Sequence, residues 1–148
     1  MSGPESTSLQ DKLTPDGSCF GCGPANDDGL KLKSYRHDNN NTVVATFTPD
    51  PKHQAAPGVL CGGIVGTLLD CHGVAAAAVA LAGSPGEVLV TREYTVRFKG
   101  ITPIAPLTLT AKTVEHDHRT ATVHATIQND GQVTAEFQGT FIAPGRPR

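Results

Sequence analysis

One stretch constrains this fold more than any other. Residues 61–82 are built mostly of Gly, Ala, Val and Leu and read as a single helix that is apolar on nearly every side. Such a helix has no solvent face of its own, so the rest of the chain must cover it. Pro57-Gly58-Val59-Leu60 leads into it and Ser84-Pro85-Gly86 ends it. Ahead of it lie a short strand-like run at 30–35, a turn at Asn39-Asn40-Asn41 and an alternating strand at 42–48. Residues 49–58 are irregular. After it come four strand-like runs at 88–99, 107–115, 120–128 and 133–142. The last two are joined through Asp130-Gly131, a strong hairpin signal, and 115–119 predicts a second hairpin. No internal repeat is visible. One long buried helix among antiparallel strands is an α+β order, with the sheet wrapped around the helix.

A chain of 148 residues is expected to form one domain with its own core. Residues 1–16 carry no periodicity and read as a mobile tail, 17–143 as the folded domain, and 144–148 as a C-terminal tail. A net charge of −2 argues against broad nucleic-acid binding, which wants a basic stripe. Every apolar run of membrane-spanning length is interrupted by Gly, Asp or His, so no membrane span is expected. The polar N-terminus lacks an apolar signal region, which makes the cytoplasm the default location. There, Cys19, Cys22, Cys61 and Cys71 are expected as free thiols.

Chemistry concentrates on the helix. Gly62-Gly63 sits at its start, where backbone N–H groups without internal partners can hold an oxyanion. Asp70 is its only acidic residue, and a carboxylate among apolar side chains is expensive without a task or a partner. Together they suggest acyl chemistry. The plainer readings are close helix packing at Gly62-Gly63 and an ion pair from Asp70 to Arg92 or Arg97. Eight residues separate Gly62 from Asp70, about 12 Å along the axis, so one carbonyl does not easily touch both on one helix. Two antiparallel copies across a two-fold would bring Gly62 of one chain opposite Asp70 of the other, making two equal sites. Gly66, Gly73 and Ala77 flank Asp70 and leave room for substrate or a close partner. The opposite stripe, Ile64, Leu68, Cys71, Ala75 and Val79, reads as core, as does His72.

The ordered set Cys19-Phe20-Gly21-Cys22-Gly23-Pro24, Gly29-Leu30, His53-Gln54, Pro57-Gly58, Gly62-Gly63 with Asp70, Thr91, Asp130-Gly131 and Gly139-Thr140-Phe141 resembles the hotdog-fold acyl-CoA thioesterases of the phenylacetate-pathway and thioesterase-superfamily-member type. The likeness runs over residues 19–142. It implies a hotdog fold, a homodimer with shared active sites, with pairing into a dimer of dimers left open, an acyl-CoA substrate and no cofactor. It also implies roles. The Gly62 N–H polarises the thioester carbonyl, Asp70 acts as general base or nucleophile, and Thr91 positions Asp70 or water. Gln54, with His53 as the fallback, contacts the thioester carbonyl. Cys61, Gly63 and Gly66 lie at the substrate. Where the family usually has His-Gly-Gly, this chain has Cys61-Gly62-Gly63.

Other features stay open. Cys61, at a helix start, is also a candidate acyl acceptor, though a small packing residue is the plainer reading. Cys19-x-x-Cys22 is half of a zinc motif without a second pair, and a metal there would need Cys61 or His53. No metal is therefore expected, and the motif reads as a tight turn covering the substrate channel. Arg97, Lys99, Arg119 and Lys52 are candidates to meet the phosphates of coenzyme A. Two further readings compete with hydrolysis: a 3-hydroxyacyl dehydratase on the same fold, and an acyl-CoA binding protein without turnover.

Overall fold

The computed structural model of the chain describes residues 4–37 and 41–148. Of the turn expected at Asn39-Asn40-Asn41, the first two residues lie outside the described ones. The elements are α1 (Leu9–Leu13), β1 (Tyr35–His37), β2 (Thr42–Phe47), α2 (Gly62–Ala80), β3 (Val90–Phe98), β4 (Leu107–His116), β5 (Thr120–Asn129) and β6 (Gln132–Ile142). All six strands form one antiparallel sheet in the order β1-β2-β4-β5-β6-β3. The α+β expectation and the four late strands stand, with ends moved by a residue or two.

The sheet curves around α2. Val43, Leu107, Leu109, Ala111, Val123, Ile127, Phe137 and Phe141 face Val65, Leu68, Leu69, Ala75 and Ala76 in one core. By length and apolarity α2 could cross a membrane, yet most of it is buried against strands instead. Glycines let the sheet come close. A Cβ on Gly73 would lie 2.8 Å from Phe141, and one on Gly66 would lie 3.3 Å from the Tyr94 hydroxyl. Tyr94, Phe137 and Phe141 form an aromatic row under this face. The space expected at Gly66 and Gly73 is thus taken by Tyr94 of the chain's own β3 and by Phe137 and Phe141 of its β6.

Both hairpins form. Asp130 and Gly131 have φ of 49° and 78°, the left-handed pair that a two-residue turn requires. Asp117 closes the other hairpin by accepting from the N–H groups of Arg119 and Thr120.

Two expectations need correction. Residues 30–34 are not in a strand. Their backbone is engaged elsewhere, with Leu30 and Leu32 N–H donating to Phe20 and Gly21 and the Ser34 carbonyl accepting from Leu9, so pairing with β2 starts only at Tyr35. Part of the expected tail is also docked. Ser8 caps α1 by accepting from Asp11 N–H, and Ser8, Leu9 and Gln10 are buried. Gln10 clamps Ser34, accepting from its N–H and donating to its hydroxyl. Ser34 Oγ lies 2.8 Å from His72 Nδ1, and His72 Nε2 lies 2.9 Å from the Val43 carbonyl. One set of roles satisfies the whole relay: Nε2–H donates to Val43, and neutral Nδ1 accepts from Ser34. Burial holds the His72 value down to about 4, so the ring is the core residue expected. At the other end, Arg146 grips Glu87 with two hydrogen bonds and also donates to the carbonyls of Leu81 and His118. Residues 144–148 are therefore fastened at Arg146 to the loop that follows α2.

Candidate active site

Two groups of candidate residues lie at different points along α2. The first surrounds the helix start. Cys61 is the N-cap, and its side chain makes no capping hydrogen bond. Gly62 and Gly63 are exposed. The first amides of a helix have no internal acceptor, and among the described residues no side-chain cap bond engages them, so this end is open to an anion or a carbonyl oxygen. The approach loop is held by its own bonds. Cys61 N–H donates to the His53 carbonyl and Leu60 N–H to Thr102. His53 Nδ1 accepts from Asp50 N–H, with its ring beside Phe47. Gln54 Oε1 accepts from the N–H of Gly58, whose φ is +78°. Both side chains expected at the substrate thus serve first to shape the loop that presents Gly62.

The second group centres on Asp70, in the middle of the helix. Its carboxylate is half-buried, and Oδ1 accepts a 2.7 Å hydrogen bond from the Thr91 hydroxyl. Among the described residues no cation pairs with it, so the plainer reading of an ion pair to Arg92 or Arg97 fails. Burial raises the Asp70 value above the ordinary carboxylate range, and the Thr91 bond partly opposes this. Thr91 reaches Asp70 through a β-bulge. Thr91 pairs with Phe141, Glu93 with Thr140 and Tyr94 with Gly139, so the extra residue falls between Thr91 and Glu93. Strict alternation would turn either Thr91 or the Tyr94, Val96, Phe98 row away from the helix. The bulge keeps both on the inner face.

Asp70 and Thr91 line a cavity of about 610 Å³. Its walls come from Leu9 and Leu13 of α1, the loop at Cys19 and Cys22, and Val74, Ala75 and Ala78 of α2. Cys19, Cys22 and Gly23 of the Cys19-x-x-Cys22 turn line this cavity. Sequence reasoning missed the contribution of α1, which sits in a segment read as tail. It also missed that Cys71, taken for core, brings its thiol to Cys19 and Cys22. Facing thiols, Cys71 first and Cys19 after burial, set the Cys22 value at about 7, below an ordinary thiol. The same cluster pushes the Cys71 value up. These three are the residues that could hold a metal, not Cys61 or His53.

Arg97 and Lys99 are not at this cavity. Arg97 lines a polar depression of about 630 Å³ with Thr95, Lys112, His124 and Gln138, on the sheet face turned away from α2. Lys99 pairs with Glu136 at 3.6 Å. Within one chain, neither cation rings the mouth at Asp70.

A curved antiparallel sheet around one long helix, with its chemistry on that helix, is the hotdog fold of thioesterase-superfamily proteins. Among solved structures, the chain is similar to one thioesterase superfamily protein at 29% identity and a TM-score of 0.72, over 84% of this chain and 60% of that one. It thus spans 60% of the length of that relative. A thioesterase superfamily protein of Shewanella loihica is 26% identical, with a TM-score of 0.66 over 84% of this chain and 98% of that one. A putative thioesterase of Ralstonia eutropha, described as phenylacetic acid degradation-related, shares the fold at 17% identity and a TM-score of 0.71, over 82% of this chain and 92% of that one. No protein-family model matches the sequence, and no curated protein does.

Proposed function

We propose that this protein hydrolyses acyl-CoA thioesters to the free acid and coenzyme A. The observation that carries the reading is Asp70: a half-buried carboxylate without a cation partner among the described residues, oriented by Thr91 on the wall of a cavity large enough for an acyl group. A buried anion held by one hydroxyl is poorly compensated and therefore basic, as a general base should be. In this mechanism the Gly62 N–H donates to the thioester oxygen. Asp70 takes a proton from water as the water oxygen bonds to the carbonyl carbon. The carbon–sulfur bond then breaks, and the departing thiolate recovers the proton. Alternatively, Asp70 attacks first, expelling the coenzyme A thiolate, and water opens the resulting anhydride at the Asp70 carbonyl. A single turnover in heavy-oxygen water separates the two, because only the nucleophilic route leaves label in Asp70.

The active unit in this reading is a homodimer. Gly62 and Asp70 are separated along one helix by about 12 Å, so the donor and base at one carbonyl come from two copies. The sheet edge supports this. β3 ends the sheet, and its exposed Phe98 and Tyr94 lie against Gly62 and Gly66 in the first turns of α2. A nine-residue edge strand leaves a row of backbone N–H and C=O groups open to pairing with another strand.

The test is steady-state hydrolysis across short, long and aromatic acyl-CoAs, for the native chain and for Asp70→Asn. Saturable turnover of at least one class, lost in the variant, is expected. Tight acyl-CoA binding without turnover would establish the binding-protein reading instead, which Cys61 in place of the family's histidine favours.

A further inference from the structure

Three thiols meet on the wall of the cavity. Cys19 and Cys22 come from the loop after α1 and Cys71 from α2, and their sulfurs all lie within 4.8 Å of one another. Cys19 Sγ stands 3.7 Å from Cys71 Sγ, and none of the three is in a disulfide. Zinc–sulfur bonds of about 2.3 Å at a tetrahedral centre place sulfurs about 3.8 Å apart, so the thiols already stand near the spacing such an ion imposes.

The placement is built rather than incidental. A Cβ on Gly21 would lie 2.4 Å from Cys71 Sγ and 2.8 Å from Thr67 Cγ2, and one on Gly23 would lie 2.3 Å from the Cys19 nitrogen. Only glycine at 21 lets the loop lie flat on the helix, and only glycine at 23 lets the turn close against its own Cys19 backbone. The turn is also pinned by its backbone. Gly23 N–H donates to Cys19 O, while the carbonyls of Phe20 and Gly21 accept from Leu30 and Leu32. Both Cys19 and Cys22 are thereby held toward Cys71.

We propose that Cys19, Cys22 and Cys71 form a site for a thiophilic divalent cation of the zinc class, with three thiolate donors and a fourth position open to the cavity. Each bound thiol gives its proton to solvent. Three protein donors with one open position hold an ion without closing it off, unlike a structural four-ligand site. An ion there occupies the wall that Asp70 and Thr91 share, so it hinders entry of an acyl group. That consequence rests on the thioesterase reading; the binding itself does not.

The experiment reads metal directly. The reduced full chain is titrated with Zn²⁺ against a chromogenic chelator, and with Co²⁺ for a thiolate-to-cobalt charge-transfer band. One ion per chain and the band are expected. Affinity should fall by at least about tenfold in Cys19→Ser and in Cys71→Ser and hold in Cys61→Ser. Cys71 is buried, so the exposed Cys19 keeps the test decisive if Cys71→Ser does not fold. No uptake by the folded, reduced chain overturns the proposal. Uptake that survives Cys19→Ser with Cys22→Ser also overturns it. Neither outcome touches hydrolysis, which is assayed separately in chelator.

Discussion

Replacing Gly62 by proline tests the backbone donor with little collateral damage. Gly62 is the first residue of α2, following the N-cap Cys61. Proline is favoured at that position, because its missing N–H has no intrahelical acceptor there and its φ is already helical. The residue before a proline must be extended, and Cys61 already is, with φ −56° and ψ 131°. The added Cβ would meet Phe98 at 3.6 Å, an ordinary contact. The substitution thus removes one N–H and changes little else. Loss of a single oxyanion donor lowers kcat by about 10²–10³, or roughly 2.7–4 kcal/mol of transition-state stabilisation. The reference is Gly62→Ala, which adds the same Cβ but keeps the N–H. Acyl-CoA hydrolysis followed by thiol release should show the proline variant slower by that factor at a similar melting temperature. Equal rates in the two variants would refute the donor role of Gly62. A collapsed melting temperature would refute the claim that the helix start tolerates the change.

Four further outcomes follow from the same geometry. Thr91→Val removes the donor that lowers the Asp70 value and leaves the burial that raises it, so the acid limb of the kcat/KM profile in chelator should move to higher pH. Asp70→Asn should lower kcat at least about 10²-fold without lowering the melting temperature: an acid whose native value is raised stabilises the fold only when protonated, an advantage lost as pH rises through that native value. His72 runs the other way, since its value drops from 6.5 to about 4 on folding; its stabilisation is full above 6.5 and declines by about 3 kcal/mol as pH falls through that window, so urea midpoints should fall there in the native chain and less in His72→Gln. Gly73→Ala should cost about 1–3 kcal/mol by overpacking, because its Cβ would sit 2.8 Å from Phe141, read as a lowered denaturation midpoint.

What could be read in the sequence was periodicity and turn chemistry. The apolar run at 61–82 and the alternating runs after it carry their own signal, and Asp130-Gly131 fixes a hairpin because few other residues accept its positive φ. Asp70 stood out because burial makes an acid conspicuous. What could not be read depends on partners distant in sequence. The five residues of α1 hold no periodicity, and their docking is decided by Ser34 and His72. The bulge beside Thr91 is invisible to a pattern of alternation. The small residues next to Asp70 looked like space because the aromatics that fill it come from β3 and β6. The third thiol was hidden for the same reason: Cys71 follows Asp70 on an apolar helix, and only the fold lays Cys19 and Cys22 against it.

Three consecutive residues of α2 show how one buried helix separates structural polarity from chemical polarity. His72 meets Ser34 on one ring nitrogen and the Val43 carbonyl on the other. Neutral and satisfied on both sides, it has no hydrogen-bonding capacity left for chemistry. Cys71 lies against two other thiols, a grouping that favours a soft cation over a single carbonyl. Asp70 alone carries a charge that the described residues only partly answer, with Thr91 donating to one of its two oxygens. A carboxylate offers about four acceptor sites, so most of this one's capacity turns toward the cavity, to water or to a ligand. Desolvation makes that anion basic, and the missing cation keeps it so. The count of internal partners thus falls from His72 to Asp70 as exposure to the cavity rises, and chemistry belongs at the end of the series where the fold supplies least.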